Sequence, residues 1–127
     1  MMLNQAKLVG TLLKSIPNIR LIYLFGSQAD GTSTAQSDID IAVLLDKKID
    51  PVARYDLEQT LILELGQEVD LVDLLSASTV LQNQVVMRGT LIYGSRSEQT
   101  SFEMQVMSMY QHLNEERSEI VSAYLNE

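Results

Sequence analysis

Several residue types are scarce or missing in this 127-residue chain, and each shortage excludes a class of protein. There is no cysteine, which excludes disulfides and thiolate metal sites. No apolar run approaches the roughly 20 residues that cross a bilayer. The N-terminus has no clear apolar stretch followed by a small-residue cleavage site, so a signal peptide is not expected. We therefore expect a cytoplasmic protein with no membrane partner.

Positive charge is also scarce, because nine Lys and Arg face seventeen Asp and Glu, for a net charge of -8. Affinity for a phosphate backbone comes largely from Lys and Arg, so direct nucleic-acid binding is not expected. An acidic surface keeps a protein soluble or suits a basic partner. The length and the 46% of hydrophobic residues fit one globular domain over residues 1–127 with a core of its own.

Strand-like and helix-like segments alternate along the chain. Asp50 before Pro51 is a strong helix start, and Gly66 is a typical helix end. The patterns predict helices over 3–15, 51–65, 78–88 and about 98–126, and strands over 20–25, 39–45, 68–74 and 90–93. This alternation predicts an α/β or α+β fold, a small sheet of about four strands flanked by helices, with a long C-terminal helix. The connection between the first two strands is short and suits antiparallel neighbours.

The loop after the first predicted strand carries the most informative pattern in the chain. Gly26 and Ser27 follow that strand, and after ten intervening residues Asp38-Ile39-Asp40 opens the second. Glycine permits close approach of a ligand, and backbone N–H groups with a serine hydroxyl make an anion site. Residues two apart on a strand face the same side, so Asp38 and Asp40 form a carboxylate pair suited to magnesium. The pattern predicts a site for a metal-bound phosphate.

A third carboxylate is expected if the chemistry uses two metal ions. Asp70 is the best candidate, because it is a charge within the apolar strand Val69-Asp70-Leu71-Val72. Glu68 shares its parity but lies nearer the start of the strand, and Asp73 has the opposite parity. We rank Asp70 first, Glu68 second and Asp73 third.

Each part of the pattern is unremarkable when taken singly. Gly-Ser is a common dipeptide, and a second one, Gly94-Ser95, is followed by no Asp-x-Asp. Asp38 alone suits a turn, and Asp40 alone suits a solvent-facing strand position. The spacing and the strand contexts together favour the functional interpretation.

Residues 25–45, with Phe-Gly-Ser followed by Ser-Asp-Ile-Asp-Ile-Ala-Val-Leu-Leu, resemble the signature of the polymerase-β-type nucleotidyltransferase superfamily. The small size and the Val-Asp-Leu-Val strand make the chain most similar to the minimal nucleotidyltransferases, the MNT antitoxins of HEPN/MNT toxin–antitoxin pairs. The resemblance implies a mixed sheet of the nucleotidyltransferase fold. It implies that Asp38 and Asp40 bind magnesium and nucleotide. It also implies that Asp70 completes the metal site and helps deprotonate the attacking hydroxyl. Gly26 and Ser27 would bind the triphosphate.

The activity that the resemblance implies is transfer of AMP from ATP, with two magnesium ions, to a tyrosine hydroxyl of a HEPN ribonuclease toxin, which is thereby silenced. Many relatives have arginines shortly after the Gly-Ser, where this chain has Gln28 and Asp30. Cationic help for the triphosphate must then come from magnesium, another basic residue or the partner. Two other functions stay open: an antitoxin that neutralises its toxin by binding alone, and a nucleotidyltransferase for small molecules such as aminoglycosides.

Overall fold

The computed structural model describes residues 4–26 and 38–125, which form four helices and four strands. The helices are α1 (Gln5–Ser15), α2 (Pro51–Leu65), α3 (Thr79–Arg88) and α4 (Arg96–Leu125). The strands are β1 (Leu21–Phe25), β2 (Ile39–Leu44), β3 (Val69–Asp73) and β4 (Thr90–Tyr93). The predicted elements are all present, with small differences at their ends.

The strands form one mixed sheet in the order β3-β2-β1-β4. β1 runs antiparallel to both β2 and β4, whereas β2 and β3 are parallel. The parallel pair needs a long crossover, which α2 supplies, while the short β1–β2 connection gives an antiparallel pair. The sheet is therefore the small mixed sheet that was predicted, with β2 in its interior.

The helix ends follow the local signals in the sequence. Asp50 caps α2 by accepting a 3.3 Å hydrogen bond from the Ala53 N–H, and Gly66 ends it in the left-handed region at φ 71°. α4 begins at Arg96 rather than near residue 98, because Ser95 Oγ accepts the Glu98 N–H at 3.1 Å and starts the helix earlier. Local capping chemistry thus sets these boundaries.

Each face of the sheet has its own apolar core. α1 and α2 cover one face, where Leu8, Leu12 and Leu61 are fully buried against the sheet. α3 and the first half of α4 cover the other, through side chains such as Val85 and Phe102. Because both faces are covered, the interior strand is apolar along nearly its whole length.

The second half of α4 extends beyond this core. The buried residues of α4 are Phe102 and Val106, and every described residue from position 114 onward is exposed. Ile120, Val121 and Tyr124 are large apolar side chains in this exposed half. Within the part of the chain that the structure describes, no helix is both long enough and apolar enough to cross a membrane.

Candidate active site

A glycine turn ends β1 at the edge of the candidate site. Gly26 has φ +68°, a conformation that side chains rarely adopt. A Cβ atom at Gly26 would collide with Asp40 Oδ2, so the aspartate carboxylate lies directly against this turn. The sequence predicted that Gly26 permits close approach of a ligand. The structure shows that the Asp40 carboxylate also lies close to this glycine. Ser27, the other predicted phosphate ligand, lies outside the described residues.

Asp40 and Asp70 lie side by side on neighbouring strands. They are partners in the parallel register of β2 and β3, and Phe25 is the partner of Asp40 on the opposite side. Asp38 immediately precedes β2, and alternation places it on the same side of the chain as Asp40. The structure therefore brings two of the three predicted carboxylates into direct cross-strand register, with the third two residues away.

These carboxylates share the face of the sheet that α3 and α4 cover. Asp40 has the parity of Ala42 and Leu44, and Asp70 has that of Val72, all of which pack toward α3 and α4. The carboxylates lie at the end of the sheet that this helical layer leaves open, since Asp38 and Asp70 are exposed and Asp40 is half-buried. A substrate can thus reach them from solvent.

The electrostatics of the site favour a bound cation. Burial raises the pKa of Asp40 above its ordinary value of 3.8, and the negative charges of Asp70 and then Asp38 raise it further. A positive charge among the carboxylates would relieve this repulsion. Within residues 4–26 and 38–125, no group of three or more His, Cys, Asp or Glu side chains has the geometry to hold a metal ion by itself. Magnesium commonly uses one or two carboxylates and fills its shell with phosphate oxygens and water, which the Asp40–Asp70 pair suits.

Asp73 has a structural role. It is 5% exposed, and it accepts hydrogen bonds from the Ile49 N–H at 2.8 Å, the Leu75 N–H at 3.1 Å and the Ser76 hydroxyl at 3.0 Å. These bonds organise the loops at the opposite end of β3 from Asp70. The opposite parity of Asp73 places its side chain on the other face of the sheet. Glu68 is exposed just before β3, and its backbone carbonyl accepts the Ile39 N–H at 2.8 Å. The ranking of Asp70 above both stays a prediction.

A polar clamp holds the free edge of β3 beside Asp70. Arg54 Nη1 donates to the Leu71 carbonyl at 3.2 Å, and Glu58 Oε2 accepts the Leu71 N–H at 3.1 Å. Arg54 and Glu58 also pair with each other at 3.1 Å. The clamp satisfies an edge-strand peptide and fixes the residue next to Asp70. Sequence analysis missed this role, for which the i,i+4 spacing of the two residues was the only available signal.

A cavity of about 500 Å³ opens beside the glycine turn, lined by Phe25, Gly26, Gln84 and Arg88. Sequence analysis assigned no role to Arg88. A larger cavity, of about 690 Å³, lies at the other end of the sheet around Arg20 and Glu98, which form an ion pair at 2.5 Å. The smaller cavity is the relevant one, because it is lined by the glycine turn against which Asp40 lies.

Comparison with known proteins shows the family of the chain. The family model described as polymerase beta, nucleotidyltransferase matches residues 7–99. A protein from Shewanella oneidensis named Protein adenylyltransferase MntA is 48% identical over 119 residues, which cover 94% of this chain and 86% of that protein.

Two solved structures are similar over nearly the whole chain. One, described as a toxin–antitoxin with AMP-PNP, has a TM-score of 0.89 and 46% identity, and the match covers 97% of this chain and 99% of that one. Another, a tri-AMPylated Shewanella oneidensis HEPN toxin in complex with an MNT antitoxin, has a TM-score of 0.81 and 43% identity, with 95% of each chain covered. The chain, with its glycine turn and its paired aspartates, therefore belongs to the polymerase beta nucleotidyltransferase family, as a relative of the MntA protein adenylyltransferases.

Proposed function

We propose that this protein is an antitoxin that transfers AMP from ATP to a tyrosine hydroxyl of a HEPN ribonuclease toxin. The observation that carries the proposal is the register of Asp40 with Asp70 beside the Gly26 turn. The same fold, at 46% identity, occurs in a toxin–antitoxin structure that contains AMP-PNP. A second relative occurs with an HEPN toxin that carries AMP groups. Site geometry and similarity thus support the same reaction, and similarity supports the kind of partner.

The reaction joins the tyrosine oxygen to the α-phosphorus of ATP and breaks the bond from that phosphorus to the bridging oxygen, so pyrophosphate leaves. The exposed carboxylate of Asp70 is suited to take the tyrosine proton, since a general base must reach the attacking group. Gly26 has no side chain of its own, so the Asp40 carboxylate lies directly against the turn, and a phosphate bound at Asp40 would lie close to the backbone there. The chain itself contributes position and electrostatics, with no covalent intermediate on its own residues.

Asp38, Asp40 and Asp70 are the residues that would hold magnesium in this proposal, as two ions. The donor chemistry fits, because all three are hard oxygen ligands, and burial followed by the negative charges of Asp70 and Asp38 raises the pKa of Asp40. Bound magnesium would neutralise charge on the phosphate groups and on the attacking and leaving oxygens.

Intact mass of the toxin after incubation with this protein, ATP and magnesium tests the proposal. We expect the toxin to gain the mass of one or more AMP groups, and a chelator to prevent the gain. The Asp38→Asn and Asp40→Asn double variant should add none. Transfer at an undiminished rate by that variant would show that the mechanism is wrong.

Neutralisation by binding alone is the second candidate, and the exposed apolar half of α4 favours it. Ile120 is 69% exposed and Tyr124 is 77% exposed, as expected of a surface that a partner covers. A variant with Asp38, Asp40 and Asp70 all changed to Asn separates the two candidates. Toxin inhibition at unchanged potency by this variant would favour binding, whereas loss of inhibition with complex formation retained would favour AMP transfer.

A further inference from the structure

We infer that Arg88, with Gln84 beside it, binds the β- and γ-phosphates of the nucleotide on the opposite side of the Gly26 turn from Asp40. The inference rests on the proposed function, since it assigns a ligand group to the same site. It also supplies the cation that positions 28 and 30 lack, where the chain has Gln28 and Asp30.

The strand pairing delivers Arg88 to the glycine turn. Arg88 is the last residue of α3, and Thr90, two residues later, pairs with Leu24 near the end of β1. Gly89 makes this tight connection possible, because a Cβ atom there would lie 3.3 Å from the Leu24 carbonyl oxygen and closer still to that of Val85. Arg88 therefore arrives at the end of β1 that carries Phe25 and Gly26.

Arg88 also lies on the correct side of the sheet. α3 packs through Val85 and Val86 on the face toward which Asp40 and Asp70 point. Gln84 and Arg88 are four residues apart, so they share one side of α3, and both line the 500 Å³ cavity with Gly26. The cavity, the glycine turn and the carboxylates thus open on one face.

The spacing suits a triphosphate. Two interstrand distances, about 10 Å in total, separate β4 from β2, with the end of β1 between them. Asp40 stands on β2, and Arg88 precedes β4. A triphosphate laid over Gly26 would have carboxylates at one end and a guanidinium at the other, as a chain of three phosphates with a bound metal requires.

Among the described residues, none occupies the charge of Arg88, which leaves it to a ligand. No carboxylate in residues 4–26 and 38–125 forms an ion pair with it, whereas Arg20 and Arg54 are paired with Glu98 and Glu58. Arg88 is exposed at the cavity wall. A guanidinium presents a planar fork of donors that matches phosphate oxygens, and a Gln amide adds one more donor.

Binding of ATP, AMP and inorganic tripolyphosphate to the full-length protein with magnesium tests the inference. Arg88→Ala should lower the affinity for ATP and for tripolyphosphate by about 10- to 100-fold, as loss of a hydrogen bond to a charged group does. AMP affinity should change little, since AMP lacks the outer phosphates. Arg88→Lys keeps the positive charge at the end of α3 but loses the planar fork of donors. Its affinity for ATP and tripolyphosphate should therefore be intermediate, and it should unfold at the wild-type temperature.

Arg96→Ala is the matched control, because Arg96 is an exposed arginine that follows the other end of β4. Equal ATP binding by wild type and Arg88→Ala would overturn the inference even if AMP transfer to the toxin proceeds. Equal weakening of ATP and AMP would also overturn it, since the effect would then be structural. Selective loss of ATP and tripolyphosphate binding would support it, even if the wild type adds no AMP to a toxin and the proposed function fails.

Discussion

Replacing Asp40 by Asn is expected to stabilise the fold while it abolishes AMP transfer. Burial first, and then the charges of Asp70 and Asp38, raise the pKa of Asp40 above 3.8. A raised carboxyl pKa means that the folded state disfavours the ionised form, so ionised Asp40 lowers the free energy of unfolding at neutral pH. Asparagine keeps the shape of the side chain and removes its charge.

The magnitude follows from the register of Asp40 with Asp70. Two unit charges about 5 Å apart, the spacing of neighbouring strands, repel by about 0.8 kcal/mol in water and about 3 kcal/mol at an effective dielectric constant of 20. Asp70 is exposed and Asp40 is only half-buried, so screening by water and salt favours the lower value. We therefore expect Asp40→Asn to raise the free energy of unfolding by about 1 kcal/mol, or Tm by about 4 °C.

The pH dependence gives this prediction a defined sign. Because the pKa of Asp40 is higher in the folded state, the wild type is relieved of the repulsion as Asp40 gains a proton. The gain in free energy of unfolding from Asp40→Asn should be full above the folded-state pKa of Asp40. It should shrink as the pH falls through that pKa and be absent below 3.8. Magnesium should raise the Tm of the wild type and leave that of the variant nearly unchanged.

Thermal unfolding across this pH range, with and without magnesium, measures these effects. Asp56→Asn is the control, since Asp56 is an exposed carboxylate on α2, on the face of the sheet away from the site. A lower Tm for Asp40→Asn at neutral pH, or an advantage that persists below 3.8, would refute the reasoning about repulsion. Retained AMP transfer would refute the role of Asp40 in the reaction.

Three further substitutions separate the site from its scaffold. Gly26→Ala should abolish AMP transfer and cost about 1–2 kcal/mol, because its Cβ collides with Asp40 Oδ2 at φ +68°. Asp73→Ala should cost about 2–3 kcal/mol, because three hydrogen bonds lose their buried acceptor. Tyr23→Phe should cost about 1 kcal/mol and leave transfer unchanged, because it removes only the 2.6 Å hydrogen bond to Glu103 on α4. Urea unfolding and intact mass of the toxin measure both properties of each variant.

These three variants should differ in which property they lose, AMP transfer or stability. Full transfer activity in Gly26→Ala would contradict the need for close contact between that turn and the Asp40 carboxylate. Unchanged stability in Asp73→Ala would contradict the assignment of Asp73 to the scaffold. A loss of transfer in Tyr23→Phe that exceeds its loss of stability would indicate that the Tyr23–Glu103 bond contributes to the site.

Much of the fold was predictable because its signals are local. Asp50 and Pro51 start α2, and Gly66 ends it, through chemistry within a few residues. The mixed sheet and the nucleotidyltransferase family, which the resemblance implied, are confirmed. The start of α4 was misplaced by two residues, since the Ser95 hydroxyl accepts the Glu98 N–H and starts the helix earlier.

The candidate site was likewise predictable from the sequence only in part. Alternation along a strand puts Asp38 and Asp40 on one side, which sequence reasoning can derive. Placing Asp70 in register with Asp40 requires the parallel pairing of β2 and β3, which are separated in the chain by α2. The roles of these residues in metal binding and catalysis stay predictions, as does the role of Ser27.

By itself, the sequence determined the glycine turn and the two aspartates, because a strand end and a two-residue period are local properties of the chain. Only the tertiary structure decided what surrounds them. Asp70 reaches the site through a crossover, the Arg54–Glu58 clamp holds its strand, and Arg88 arrives through the pairing of β4 with β1. These residues come from distant segments, and no local pattern specifies which of them meet when the sheet closes.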